Sequence, residues 1–227
     1  MPFLKVWDGV FMVGGPELTS MEDCCIYAVD GGSEGFVLID SGLGLTYNSV
    51  VENLMDAGLN PKRLKVIIAT HCHVDHVGGL SKFKRDYSPT IAAHELDAEA
   101  IETGDPKRLG LELYGVAYEP CKVDLKFKGS EESLRVGDVE LTVLHIPGHT
   151  PGSIAVYADV YGQRMLFGQD IHGPFNPEWG SNLEEWRRSI EKLLQLDADV
   201  LLEGHFGVIQ PARAVRDFLR DYLEIMS

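Results

Sequence analysis

Short apolar runs and loosely alternating stretches dominate the chain, interrupted by a few segments with helical spacing. Residues 3–13 alternate and predict one or two short strands; residues 24–30 and 35–40 predict a hairpin around Gly31-Gly32. Asp40-Ser41-Gly42-Leu43-Gly44 follows as a glycine-rich turn at a strand end. Val50, Val51, Leu54 and Met55 share one face of a helix over 46–57, which Gly58 and Pro61 end. A buried strand is predicted at 65–69, a helix near 78–86, a short strand at 90–93 and a helix at 94–101. Residues 104–121 are less regular but carry Leu109, Leu111, Leu113, Tyr114, Val116 and Tyr118, which favours a lid over a pocket against a core-packing connection.

The second half is richer in strands, expected at 122–127, 133–136, 139–145, 153–158 and 164–168. A helix at 183–195, a strand at 199–202 and a helix at about 211–225 complete it. Each half opens on strands and then alternates helices with strands. Two sheets face to face, with helices outside both, satisfy this pattern. No linker, low-complexity tract or short repeat interrupts it, so residues 1–227 are read as one domain.

Composition narrows the function classes. The hydrophobic and charged fractions are ordinary for a soluble globular protein, and no apolar run approaches the ~20 residues needed to cross a bilayer. Met1 to Asp8 contain no basic region followed by an apolar core, so no signal peptide is expected. A net charge of -15 repels phosphate backbones and argues against a nucleic-acid partner. Cys24, Cys25, Cys72 and Cys121 form no Cys-x-x-Cys pair, which fits reduced thiols in the cytoplasm. The expected partner is a small-molecule substrate, without membrane; a homodimer is left open.

Chemistry concentrates in His71-Cys72-His73-Val74-Asp75-His76, just past the apolar run Val66-Ile67-Ile68-Ala69. Imidazole and carboxylate suit zinc, iron or manganese, and open α/β sheets hold ligands at the C-terminal ends of their strands. In an extended segment His71 and His73 face one side, while Cys72 points away into packing. The chain must then turn to bring back Asp75 and His76, unlike the helical His-Glu-x-x-His spacing of zinc proteases. His149, Asp170 and His205 each lie just past a predicted strand and beside a glycine that permits a tight turn. Asp40 and Glu203 are further carboxylates near such ends. His172 lies two residues after Asp170, where it is either a cleft residue or a surface-loop His. Phe175, Trp179, Tyr114 and Tyr118 are candidates to wall a pocket or fill a core. His94 is read as a cap or core residue and His145 as packing in its strand.

His71-x-His73-x-Asp75-His76, then His149, Asp170 and His205, resembles the motif set of the metallo-β-lactamase superfamily. The likeness runs from about Asp40 to His205. It implies an α/β (α+β) fold, a four-layer αβ/βα sandwich with metals at one edge of the two sheets. It also implies that His71, His73 and His149 hold one metal, that Asp75, His76 and His205 hold a second, and that Asp170 bridges them. Asp40 would orient the ligands. The implied cofactor is two divalent ions, zinc first, with iron or manganese as alternatives.

The implied activity is binuclear metal-dependent hydrolysis of a small ester, thioester or lactone by a bridging hydroxide, with Asp75 and Asp170 as the catalytic carboxylates. His172, Phe175 and Tyr114 are the candidate substrate contacts. Two-zinc β-lactamases of this superfamily use Cys at the place of Asp170, and the diiron oxygen and nitric oxide reductases use Glu at the place of His73. Nucleic-acid-processing members carry additional binding elements for which this acidic chain leaves no room. The ligand set is similar to that of glyoxalase II-like thioester hydrolases, but the short stretch after His205 leaves no room for their glutathione-binding helical domain. Lactonases share the ligands and roughly the length. Persulfide dioxygenases with one iron, on residues matching His71, His149 and Asp170, are the alternative.

Overall fold

The computed structural model describes residues 2–226. In the first half, β1 (Leu4–Trp7), β2 (Val10–Gly14), β3 (Ile26–Asp30) and β4 (Phe36–Ile39) form an antiparallel run. After α1 (Tyr47–Asp56) the chain continues through β5 (Leu64–Ile68), α2 (Val74–Val77), α3 (Leu80–Tyr87), β6 (Thr90–His94), α4 (Glu95–Thr103), α5 (Leu111–Tyr114) and β7 (Leu125–Phe127). These seven strands lie in sequence order in one sheet, with β4 to β7 parallel. The second half contributes β8 (Glu131–Val136), β9 (Val139–His145), β10 (Ile154–Val160), β11 (Gln163–Gly168), α6 (Leu183–Gln195), β12 (Val200–Glu203), β13 (Gly207–Ile209) and α7 (Ala212–Ile225). Its sheet runs β13-β12-β11-β10-β9-β8, with only β11 and β12 parallel.

Period-two alternation assigns each strand residue to one of three apolar layers. Tyr27, Val29, Val37, Ile39, Val66 and Ile68 face Leu141, Val143, Ile154, Val156, Phe167 and Leu202 between the sheets. Their neighbours Ile26, Ala28, Leu38, Ile67 and Ile91 point the other way, onto Val50, Leu54, Leu80, Phe83 and Ile101 of the helices. On the opposite flank Leu144, Ala155, Leu166 and Leu201 pack under Trp186, Ile190, Leu193, Val215 and Leu219. Helix, sheet, sheet, helix is therefore the order of layers, as the patterning and the resemblance both imply.

Three local expectations need correction. The strand expected at 122–127 begins only at Leu125, because Asp124 is spent as a tie: its carboxylate accepts from the Ile91 amide and from Lys84. The helix expected near 78–86 is preceded by the separate α2, so the turn that brings back Asp75 and His76 is a short helix of its own. Strand β13 was not anticipated; three half-buried residues give it almost no apolar signal.

Candidate metal centre

The seven expected ligands come from four strand ends and the short helix α2, and meet in one place. β5 delivers His71 and His73, α2 delivers Asp75 and His76, the β9–β10 connection His149, β11 Asp170 and β12 His205. Two tight approaches permit this. At Gly148, with φ +147°, a Cβ would lie 2.4 Å from the Trp186 Cα. At Gly204 it would lie 2.5 Å from Asp170 Oδ1. Asp40 and Asp170 themselves adopt positive φ (62° and 50°), a region that short polar side chains tolerate better than most.

The ligand atoms divide into two clusters that share one residue. His73 Nδ1 lies 3.1 Å from His71 Nε2 and 2.8 Å from His149 Nε2. Asp170 Oδ2 is 3.7 Å from the former and 3.4 Å from the latter. On the other side, Asp170 Oδ1 is 3.2 Å from both His76 Nε2 and His205 Nε2. Asp75 Oδ2 is 3.4 Å and 3.3 Å from the same two nitrogens. Tetrahedral nitrogen ligands at 2.0–2.1 Å from zinc stand about 3.3 Å apart, so both clusters have the dimensions of a coordination shell.

Partners outside the clusters fix which nitrogen each ring presents. Thr70 Oγ1–H donates to Asp40 Oδ2 at 2.7 Å, which leaves Thr70 Oγ1 itself to accept from His71 Nδ1–H at 3.2 Å. His149 Nδ1–H donates to the Pro174 carbonyl at 2.7 Å, and His76 Nδ1–H to Asp40 Oδ2 at 2.8 Å. With Nδ1 so engaged, each ring when neutral turns an Nε2 lone pair inward, the arrangement that metal-binding histidines adopt. His76 Nε2 and Asp170 Oδ1 are buried without a hydrogen-bond partner. Lone pairs and carboxylates converging at buried, unsatisfied atoms fit divalent cations and leave no other evident compensation.

Burial and charge act differently on the two halves. Burial holds His71 well below the usual imidazole range, lowers His73 to about 3 and lowers His149, so this half is neutral. At His205 burial also opposes charge, but Asp170 and Asp75 raise the ring to about 10; Cys24 and the neighbouring carboxylates raise His76. Burial pushes the Asp40 carboxyl up against the pull of His76 and Thr70.

Above the clusters opens a cleft of about 210 Å³. Leu109, Gly110, Leu113 and Tyr114 form one wall, Pro174 and Trp179 another, and His172 a third. Trp179 stands edge-on to His73, ring centres 4.4 Å apart. Residues 109–114 thus wall the cleft, but they are anchored as well: Leu109 is fully buried and its carbonyl accepts from the Val74 amide at 2.9 Å. His172 is a cleft residue whose Nδ1–H donates to buried Glu203 Oε1 at 2.7 Å; Glu203 Oε2 accepts from the amides of His205 and Phe206. Phe175 corrects the expected contact set: it is absent from the cleft lining and packs behind His149 on Trp186, ring centres 5.3 Å apart. His94 caps α4 through the Leu96 amide and stacks on His145.

Sequence reasoning missed Asp97. Fully buried, it accepts from the Cys72 amide, Thr150 Oγ1, the Gly152 amide and Arg108, tying both ligand loops to the cleft wall. In the sequence it reads as an ordinary first-turn helix acid. Its only signal is the apolar company of Ala98, Ala100 and Ile101.

Residues 23–205 match the sequence model of the metallo-beta-lactamase superfamily. Acyl-coenzyme A thioesterase MBLAC2 of Homo sapiens is 28% identical over 243 residues, spanning 92% of this chain and 82% of the human protein. An uncharacterized protein of Aquifex aeolicus is 32% identical over 210 residues, spanning 88% of this chain and 92% of its own length. Among solved structures, the metallo-beta-lactamase GOB-18 from Elizabethkingia meningoseptica superposes with a TM-score of 0.80 at 21% identity, covering 99% of this chain and 87% of that one. That likeness is one of fold.

Proposed function

Because the chain belongs to the metallo-β-lactamase superfamily, we propose that it is a binuclear metal-dependent hydrolase of a small ester, thioester or lactone. The observation that carries this reading is Asp170, which offers one carboxylate oxygen to each of two otherwise complete ligand clusters. His71, His73 and His149 would hold one ion and Asp75, His76 and His205 the other. Zinc is the first choice for imidazole and carboxylate donors, with manganese and iron next. When bound, such a pair lowers the pKa of water toward ~7 and polarises a carbonyl oxygen. That the human relative is an acyl-coenzyme A thioesterase supports the acyl-transfer class.

The chain's own groups would supply orientation and proton handling. Asp75, which shares the cleft lining with Tyr114 and faces His76 and His205, would take up the proton released by the attacking water. His172, held by Glu203, would face the departing group from the cleft rim. The Trp179 edge and the Leu109 wall would shield the His73 side from bulk water once substrate fills the cleft.

The test is metal analysis joined to turnover. Protein produced without added metal, then loaded with zinc, manganese or iron, is assayed on thioester, lactone and phosphodiester panels. Two ions per chain with thioester or lactone hydrolysis is the expected result. One iron per chain with oxygen consumption on a persulfide would replace this reading with the mononuclear dioxygenase. Within the hydrolase reading, Asp75→Asn retaining full turnover with metal bound would remove Asp75 from the proton path.

A further inference from the structure

The cleft is chemically lopsided. Its apolar lining, Leu109, Leu113, Pro174 and Trp179, gathers with Gly110 on the side of His73, while His172 and His205 occupy the other. Gly110 lies among them: a Cβ there would be 3.7 Å from Leu113 Cδ1 and 4.0 Å from both His73 Cδ2 and Trp179 Nε1, so it would occupy cleft space without a clash. Leu113 stands 63% exposed at the rim, a large aliphatic group held toward solvent. At about 30 Å³ per water-sized group, 210 Å³ holds on the order of seven such groups.

Cations are missing from the same walls. Among the described residues no Lys or Arg lines the cleft. The two beside it on the chain are engaged elsewhere: Arg108 donates to the Leu96 carbonyl and to Asp97, and Lys107 pairs with Glu178. With a net charge of -15, no basic side chain among the described cleft residues is placed to pair with a phosphate-bearing or polycarboxylate carrier.

We infer, building on the hydrolase reading above, that the substrate's acyl part is a short unbranched or aromatic apolar group of about six or seven heavy atoms, seated between Leu113 and Trp179, and that its leaving group is small and not phosphorylated. The carbonyl carbon then sits over the ligand clusters with the acyl chain toward His73. The departing oxygen or sulfur points toward His172. Leu113 and Trp179 set the chain-length preference. Recognition of the acyl part is by burial of methylenes, each worth roughly a three- to four-fold gain in binding until the cleft is full.

Three measurements on the full-length, metal-loaded protein test this. First, kcat/KM is measured for acetyl, butanoyl, hexanoyl, octanoyl and dodecanoyl thioesters of N-acetylcysteamine. It should rise to a maximum near hexanoyl and fall beyond; a flat profile, or one still rising at dodecanoyl, overturns the inference. Second, hexanoyl-coenzyme A is compared with the hexanoyl cysteamine thioester. Equality within threefold, or preference for the short carrier, is expected; a larger preference for the coenzyme overturns it. Third, Leu113→Ala and Leu113→Asp should each lower the hexanoyl-to-acetyl ratio by at least threefold. They should also weaken calorimetric binding of the non-hydrolysable hexyl thioether by a similar factor. Leu113 is exposed, so folding is checked simply by an unchanged melting profile; unchanged ratios and affinities in the folded variants overturn its role. Failure to hydrolyse any acyl substrate with two ions bound would overturn the hydrolase reading itself, whereas turnover with a flat chain-length profile overturns only this inference.

Discussion

Asp40 shows how much of the centre is decided one group away from the ligands. Its carboxylate accepts from the Thr70 amide, from Thr70 Oγ1 and from His76 Nδ1, at 2.8, 2.7 and 2.8 Å. Those bonds fix the His76 tautomer directly and the His71 tautomer through Thr70. Asp40→Ala should therefore lower metal affinity by roughly 10- to 100-fold, the usual cost of losing such a support. Equilibrium competition with a chromogenic chelator measures it. Asp97 acts similarly on the loops rather than on the rings, since it joins Cys72, Thr150 and Gly152. Asp97→Asn preserves size but cannot accept at both oxygens from all these donors. It should lower kcat/KM by about tenfold or more through looser loops, with a matching fall in melting temperature.

Helix α6 positions His149 by pressing on the loop before it. Asn182 caps the helix, its side chain accepting from the amides of Glu184 and Glu185, while its own amide donates to the Gly148 carbonyl at 2.8 Å. Asn182→Ala keeps the backbone bond and loses the cap, so it should cost about 0.5–2 kcal/mol of stability and leave metal content unchanged. Gly148→Ala should do the reverse kind of damage: the new Cβ meets the Trp186 backbone, displaces His149 and lowers metal content in protein that still folds. Denaturant titration and metal analysis on the two variants separate the effects. The same elements show what a sequence can reveal. Strand alternation and the helix faces around Leu54, Trp186 and Leu219 were legible because each buries one face, and the convergence of the seven candidate ligands because imidazole and carboxylate clustered at strand ends. Asp97 and the displacement of Phe175 were not legible, because they depend on which distant loops meet. Nor was β13, whose residues bury too little to leave a period.

The four-layer architecture keeps both sheets' strand ends at one rim and encloses the rest. Cys24, Cys25, Cys72 and Cys121 are all buried and free. Burial pushes Cys25 up to about 12 and Cys121 to about 11, from an ordinary value of 9.0. These thiols hold their protons more tightly folded than unfolded, so their contribution is fully present below about pH 9 and is lost as pH rises toward 12. Denaturant melts between pH 8 and 11 should show declining stability, and thiol alkylation at pH 8 should proceed only as fast as the protein opens. A cation that binds only the folded chain also adds stability, about 4 kcal/mol at a thousandfold excess over its dissociation constant. For a domain of this size, chelation should then lower the melting temperature by roughly 10 °C. Most direct of all is the position of the ions. Crystals of zinc-loaded protein, measured on both sides of the zinc absorption edge, should show two anomalous peaks per chain flanking Asp170, one against His71, His73 and His149 and the other against Asp75, His76 and His205. A single peak, or none within this cage, would contradict the binuclear account.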